Sequence, residues 1–264
     1  MILIGERING MFRDIRHAIA VKNPEPVRDW ARRQVERGAD YLDLSVGPSA
    51  DDPVQAMRWL ATTVREVTDC PLCFDSTNPA AIRAGLEVGG RGSLINSCSA
   101  DRERIEVLYP LARDCGAKII GLTMNQAGIP KDADSRATLA MELVAAADEF
   151  GLPLDDLFID PLLLPVSVAQ SHVAQTLNTI GAVKMLSSPP PKTVVGLSNI
   201  SQKTFDRSLI NRTFLVMAMA IGLDAAIVDV CDDSLIDAVA TARVLLDQEI
   251  YADSYVKLFR SRKE

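Results

Sequence analysis

Residues 193–201 read TVVGLSNIS. The run Val194, Val195, Gly196, Leu197 has the length and apolarity of a buried strand, yet it stops on Ser198 and Asn199. The same construction recurs in YLDLS (41–45), LCFDST (72–77), SLINS (93–97) and LFIDP (157–161). Each is an apolar run with a carboxylate or amide at or near its last position. Short continuous apolar runs bounded by turn residues are strands covered on both faces, as in a parallel sheet. A plain loop could use Gly, Pro or Asp at such an end, so the repeated amides and carboxylates need a further reason.

Working outward from these runs, strands are expected near 2–5, 40–45, 71–75, 92–96, 117–122, 156–160, 193–198 and 224–229. Helical patterns separate them: Val27–Arg37, Pro53–Val67, Ala80–Val88, Arg102–Cys115, Ser135–Phe150, Val168–Leu186, Leu209–Gly222 and Ser234–Leu246. Gly38, Gly116, Gly151 and Gly222 stand at or just beyond helix ends, where a left-handed cap favours glycine. GAD, GAK and GLD at 38–40, 116–118 and 222–224 repeat one helix-to-strand turn. Eight strand–helix units in 264 residues predict an α/β fold, a (β/α)8 TIM barrel forming one domain over residues 1–264. A doubly wound open sheet shares the alternation. No G-x-G-x-x-G or G-x-x-x-x-G-K-[ST] is present, which removes the usual open-sheet nucleotide sites. The proline run SSPPPK (187–192) reads as a helix-to-strand loop.

Hydrophobic residues make up 48% of the chain, ample for a large core, and the formal net charge is −7. With no run of Lys or Arg, a nucleic-acid partner is not expected. No stretch reaches the ~20 apolar residues of a membrane span, and MILIGERING turns charged too early for a secretory signal. Five cysteines, an odd number and mostly within apolar stretches, predict reduced thiols and a cytoplasmic location.

In a barrel, the C-terminal strand ends share one rim, where active sites are built. In chain order they deliver Glu6, Arg7 and Asn9, Asp43, Asp75, Asn96, Thr123–Asn125, Asp160, Ser198 with Asn199, and Asp229 with Asp232. Some such groups cap the next helix; Ser76, Asn78 and Asp134 are read that way. Asp75, Asn96 and Asp160 lie within or at the edge of apolar runs, where an unpartnered polar group is costly, and are read as ligand contacts. His17 and His172 are the only histidines and neither sits in a metal-binding pattern, so no histidine-built metal centre is expected. No strand end listed above carries the lysine of a Schiff-base enzyme. Cys70 and Cys73 form CPLC without a second pair and are read as unconnected thiols. Carboxylates could hold Mg²⁺. Carboxylates mixed with amides better suit a neutral heterocycle, because they match the donors and acceptors of a 2-amino-4-oxo pyrimidine edge.

MILIGERING, FDSTN (74–78), LINS (94–97), GLTMN and GIPKD (121–132), IDPL (159–162) and GLSNIS (196–201) together resemble the pterin-binding methyltransferases. The resemblance covers the whole chain and is strongest to the methyltetrahydrofolate:corrinoid/iron–sulfur protein methyltransferases. The folate domain of cobalamin-dependent methionine synthase and dihydropteroate synthase are more distant. The resemblance implies a TIM barrel, a homodimer, and transfer of the N5 methyl of methyltetrahydrofolate to Co(I) of a corrinoid (cobalamin) carried by a corrinoid/iron–sulfur protein in acetyl-CoA formation. It implies that Asp75, Asn96 and Asp160 bond the pterin ring, that Asn199 lies beside N5, and that Asp43, Ser198, Gln202 and Arg207 lie nearby. SNIS stands where dihydropteroate synthase would need cationic pyrophosphate contacts.

That resemblance supplies a reason for the amide at the end of TVVGLSN. Methyl loss from N5 leaves an amide-like anion unless N5 gains a proton or a strong hydrogen bond as the bond breaks. A neutral amide is both donor and acceptor and can follow N5 through protonation, whereas a carboxylate would hold the charged ground state. The cobalamin-anchoring D-x-H-x-x-G is absent, so no tightly bound cofactor is expected and the corrinoid comes on a partner. Two alternatives stand: the reverse reaction, methyl-corrinoid to tetrahydrofolate, as in methylamine or betaine breakdown, and a pterin-binding module without turnover.

Overall fold

All eight expected strands form, and they close on one another. In a computed structural model describing residues 1–48 and 50–251, β1 (Ile2–Asn9), β2 (Tyr41–Ser45), β3 (Leu72–Asp75), β4 (Leu94–Ser99), β5 (Lys118–Leu122), β6 (Leu157–Asp160), β7 (Lys192–Gly196) and β8 (Ala225–Val228) pair in sequence order. All pairings are parallel, and β8 returns to β1 through Ile2 opposite Ala225. The chain is therefore a (β/α)8 barrel, not an open sheet. Residues 252–264 of the expected domain lie outside the described residues.

The helices are α1 (Arg13–Val21), α2 (Glu25–Glu36), α3 (Pro53–Arg65), α4 (Pro79–Gly89), α5 (Arg102–Cys115), α6 (Ala133–Glu149), α7 (Val166–Val183), α8 (Arg207–Ala220) and α9 (Asp233–Leu245). Eight match the expected patterns to within a few residues. The extra one, α1, buries Ile15, Ala18 and Ile19, a stripe at helical spacing that nine residues among charged neighbours made easy to overlook. Carboxylates and amides start several helices: Asp52 accepts from the amides of Val54 and Gln55, Asn78 from Ala80, and Asp206 from Leu209. Before α6 the cap is Asp132, accepting from Ser135 N at 2.8 Å, and not Asp134. Asp134 is the second helical residue, where its side chain complements the helix dipole instead.

The repeated GAD and GLD turns have a shared mechanism. Gly38 and Gly222 adopt φ of 86° and 103°, open to glycine without steric cost. The aspartates then reach sideways to neighbouring strands: Asp40 accepts from Leu3 N at 2.8 Å and Asp224 from Thr193 N at 2.6 Å. Lys184 pairs with Asp224 as well. Cys73 points into the barrel, whereas the Cys70 thiol donates to the Ala39 carbonyl at 3.6 Å; the two face different surroundings. No helix among the described residues is long and apolar enough to cross a membrane.

Inside the barrel one layer is wholly apolar and takes one side chain from every strand: Ile4, Tyr41, Cys73, Leu94, Ile120, Phe158, Val194 and Ala225. Side chains alternate across a strand with period two. The next inward positions, two residues on, are therefore set by the strands themselves, and they are where the polar strand ends fall. Around this barrel, the outward faces of the strands pack on the helices in two buried clusters.

Candidate functional site

Two residues beyond each member of the apolar layer stand Glu6, Asp43, Asp75, Asn96, Leu122, Asp160, Gly196 and Ile227. All eight line a cleft of about 760 Å³ at the C-terminal end of the barrel. Loops after β1 and β7 add Met11, Phe12, Ser198, Asn199 and Gln202, and α8 adds Arg207, Ser208 and Asn211. The eight residues singled out from sequence, Asp43, Asp75, Asn96, Asp160, Ser198, Asn199, Gln202 and Arg207, thus share one cavity.

Its floor is ionisable and largely buried. Asn96 Nδ2 donates to Asp43 Oδ1 at 3.2 Å. Asp43 is buried and Asp75 partly buried beside it; burial first and then repulsion from Asp75 raise the Asp43 carboxyl, and burial raises Asp75 against the Ser45 hydroxyl. Asp160 is pushed up to about 7 by burial, opposed by the Leu162 amide and then by Arg136. That amide donates to Asp160 Oδ1 at 2.7 Å. Carboxyls held near neutrality can give or take a proton at working pH.

The opposite wall is built by β1 and the turn after β7. Ser198 Oγ donates to Glu6 Oε1 at 2.7 Å, joining residues 192 positions apart. Burial raises Glu6 to about 7 against that hydrogen bond. Glu6 faces this wall as the inward position after Ile4, and β1 bulges between Gly5 and Ile8. Gln34 on α2 satisfies the bulge, accepting from Arg7 N at 3.0 Å. Gly5 is required there, since a Cβ would fall 2.4 Å from Gln34 Oε1. β7 ends at Gly196, and Leu197–Asn199 form a 3-10 turn, shortening the strand expected over 193–198. The turn rotates Asn199 to the lip, where Gln202 Nε2 donates to its Oδ1 at 3.0 Å. Arg207 secures the same turn, donating from Nη2 to the Ser198 carbonyl at 3.2 Å and from Nε to Ser201 Oγ at 3.1 Å.

Not every polar strand end serves the cleft. Arg7 turns outward, its guanidinium stacked between Phe12 and Trp30. Thr123 Oγ1 donates to the Asp160 carbonyl and Asn125 closes a local turn. Asp232 lines the cleft but spends its carboxylate capping α9. Asn211 and Ser208 escaped the sequence reading because they belong to the first turns of α8, not to a strand end. Among the described residues, no group of three His, Cys, Asp or Glu side chains is arranged to hold a metal ion.

A cleft at the C-terminal mouth of the barrel, set above an apolar layer and edged by carboxyls and amides, has the form of a small-molecule pocket. Residues 13–229 match the pterin binding enzyme family, and the chain belongs to that family. It is 29% identical, over its whole length and 97% of the relative, to a methylcorrinoid:tetrahydrofolate methyltransferase of Eubacterium limosum. It is 30% identical over 86% of its length to methionine synthase of Mycobacterium tuberculosis, of which it spans 20%. Among solved structures, dihydropteroate synthase of Xanthomonas albilineans with 4-aminobenzoic acid superposes with a TM-score of 0.68 at 18% identity, covering 95% of this chain and 93% of that one. A likeness at that identity speaks for the fold alone.

Proposed function

We propose that this protein transfers a methyl group between N5 of tetrahydrofolate and the cobalt of a corrinoid carried by another protein. The observation that carries this reading is the ring of inward positions above the apolar layer. It supplies carboxyls and an amide from β2, β3, β4 and β6 on one side, and the turn after β7 adds a neutral amide, Asn199, on the other. Asp75, Asn96 and Asp160 are the partners for the amino and ring N–H donors of the pterin's pyrimidine edge, and Asp43 orients Asn96. With that edge against β3, β4 and β6, N5 faces β7 and the Asn199 amide, which Gln202 orients. Ser198 and Arg207 hold the turn that presents it.

Since one site serves both directions, the chemistry of N5 is the same either way. When the methyl leaves N5, the nitrogen must gain a hydrogen bond or a proton; when the methyl arrives, the N5 proton must depart. Asn199 accommodates both states because its amide neither keeps nor surrenders a proton. The corrinoid is a substrate delivered on a partner, and the chain itself is read as having no tightly bound cofactor. The motifs resemble those of enzymes that methylate Co(I) of a corrinoid/iron–sulfur protein. The full-length relative is named for the opposite direction, methylcorrinoid to tetrahydrofolate, and this favours that direction here. A homodimer belongs to the same proposal, with light scattering as its check.

The test is methyl transfer with free cobalamin, followed by the cobalt absorption spectrum. Methylcobalamin with tetrahydrofolate should give Co(I) and methyltetrahydrofolate, and the reverse pair should run backwards. Pterin binding without spectral change in either direction would sink the transferase reading and leave a binding module.

A further inference from the structure

Arg136, in the first turn of α6, is completely buried, an expensive place for a permanent cation. Its guanidinium donates from Nε to the Pro130 carbonyl at 2.9 Å, and from Nη1 to the carbonyls of Pro161 and Leu162 at 2.9 and 3.2 Å. Nη1 also reaches Thr176 Oγ1 at 3.0 Å, and Nη2 lies 2.7 Å from His172 Nδ1. None of these partners is a carboxylate. Because arginine can only donate, His172 Nδ1 must be the ring's lone pair, which keeps the imidazole neutral with its proton on Nε2. Burial, then Arg136, then Lys131 lower the His172 pKa.

The carbonyls gripped by Arg136 belong to the turn that follows Asp160. Leu162 in that turn is left-handed, with φ of 64°, a conformation unfavourable for a non-glycine residue. Held there, its N–H donates to Asp160 Oδ1 and its side chain lines the cleft. We infer that Arg136, with His172 as its acceptor, is a positioning pair for Asp160: it locks the Pro161–Leu162 turn so that the Asp160 carboxylate meets the ligand. The inference rests on the pterin-binding reading and adds a residue two elements removed from the ligand. Arg136 also acts through space. Asp160 is faced by Arg136 and the Leu162 amide, Arg136 by Asp160 and Asp132, and His172 by Arg136 and Lys131. The buried cation therefore favours the ionised carboxylate that accepts the pterin N–H groups.

The experiment is equilibrium binding of tetrahydrofolate across pH 5.5–8.5, with steady-state kinetics and thermal unfolding alongside. In His172→Asn, Oδ1 takes the place of Nδ1, and affinity should stay near wild type. In His172→Leu the acceptor is lost, and affinity should fall roughly tenfold with kcat at saturating pterin unchanged. Arg136→Gln should bind more weakly still, and the pH midpoint of its binding should move upward, because Asp160 loses the cation that favours ionisation. Should Arg136→Gln not fold, the two His172 variants carry the test. Equal weakening in His172→Asn and His172→Leu, or wild-type affinity and an unmoved pH midpoint in all variants, would overturn the inference. A wild-type protein that binds no tetrahydrofolate would overturn the pterin reading itself, which separates the two failures.

Discussion

At Asn199 a neutral side chain sits where β7 gives way to a 3-10 turn, at the lip of a cleft whose floor is acidic. If its amide supports N5 mainly in the transition state, Asn199→Ala should lower kcat/KM by ~10²-fold or more, the scale for one preorganised donor at a charge-developing atom. Tetrahydrofolate binding should fall far less, since the pyrimidine contacts remain. Single-turnover transfer measured beside equilibrium binding checks this, and equal losses in both would reduce Asn199 to an ordinary contact. Asp75 makes the complementary case. Asp75→Ala should weaken tetrahydrofolate binding by at least the ~1.5–3 kcal/mol of a charged hydrogen bond, and unchanged affinity by calorimetry would remove it from the site.

The element that presents Asn199 is tuned by a glycine and a cap. Gly196 has φ of −77°, so alanine meets no backbone strain there. Its Cβ would nevertheless lie 3.0 Å from Asn199 Nδ2. Gly196→Ala should therefore fold normally and lose transfer rate, because the amide must move aside; a wild-type rate with an unchanged melting temperature would refute the claim. Eleven positions on from Val195, Asp206 starts α8 by accepting from Leu209 N at 3.1 Å. Asp206→Ala should cost about 1 kcal/mol of stability in denaturant unfolding, and it should also loosen Arg207, the first residue of that helix.

For the whole molecule, the acidic cleft has a thermodynamic consequence. Glu6 and Asp160 titrate near 7 in the folded protein, well above the ~4 of an unfolded chain. The folded state therefore binds more protons than the unfolded state between those values, and stability declines as pH rises. The contribution is complete below about 4 and lost as pH passes through about 7. The unliganded protein should melt at a lower temperature at pH 8 than at pH 5.5. Glu6→Gln and Asp160→Asn should each flatten that slope in scanning calorimetry; a slope that both variants leave unaltered would contradict it. The site is thus maintained at the expense of the fold that carries it.

The sequence by itself determined the eight strands, their alternation with helices, and the polar group at each strand end. These are local properties, written in the length of apolar runs, in glycine after helices and in residues such as Asp75 and Asp160 that break an otherwise apolar stretch. Strand ends could be read as one site only because a parallel barrel must bring all its C-terminal ends together. Closure itself, β8 pairing with β1, is a pairing between distant segments to which a run of Val and Ile is indifferent. Tertiary structure alone decided which polar ends serve the cleft. The turn after β7 brought Ser198 onto Glu6, 192 positions away, while Arg7 went out to Phe12 and Trp30. It alone revealed Arg136 too, whose partners on α7 and the turn after β6 lie up to 40 residues away. An arginine near a helix start reads as a solvated surface charge; what buries it is the packing of two neighbouring helices, and no local pattern encodes that.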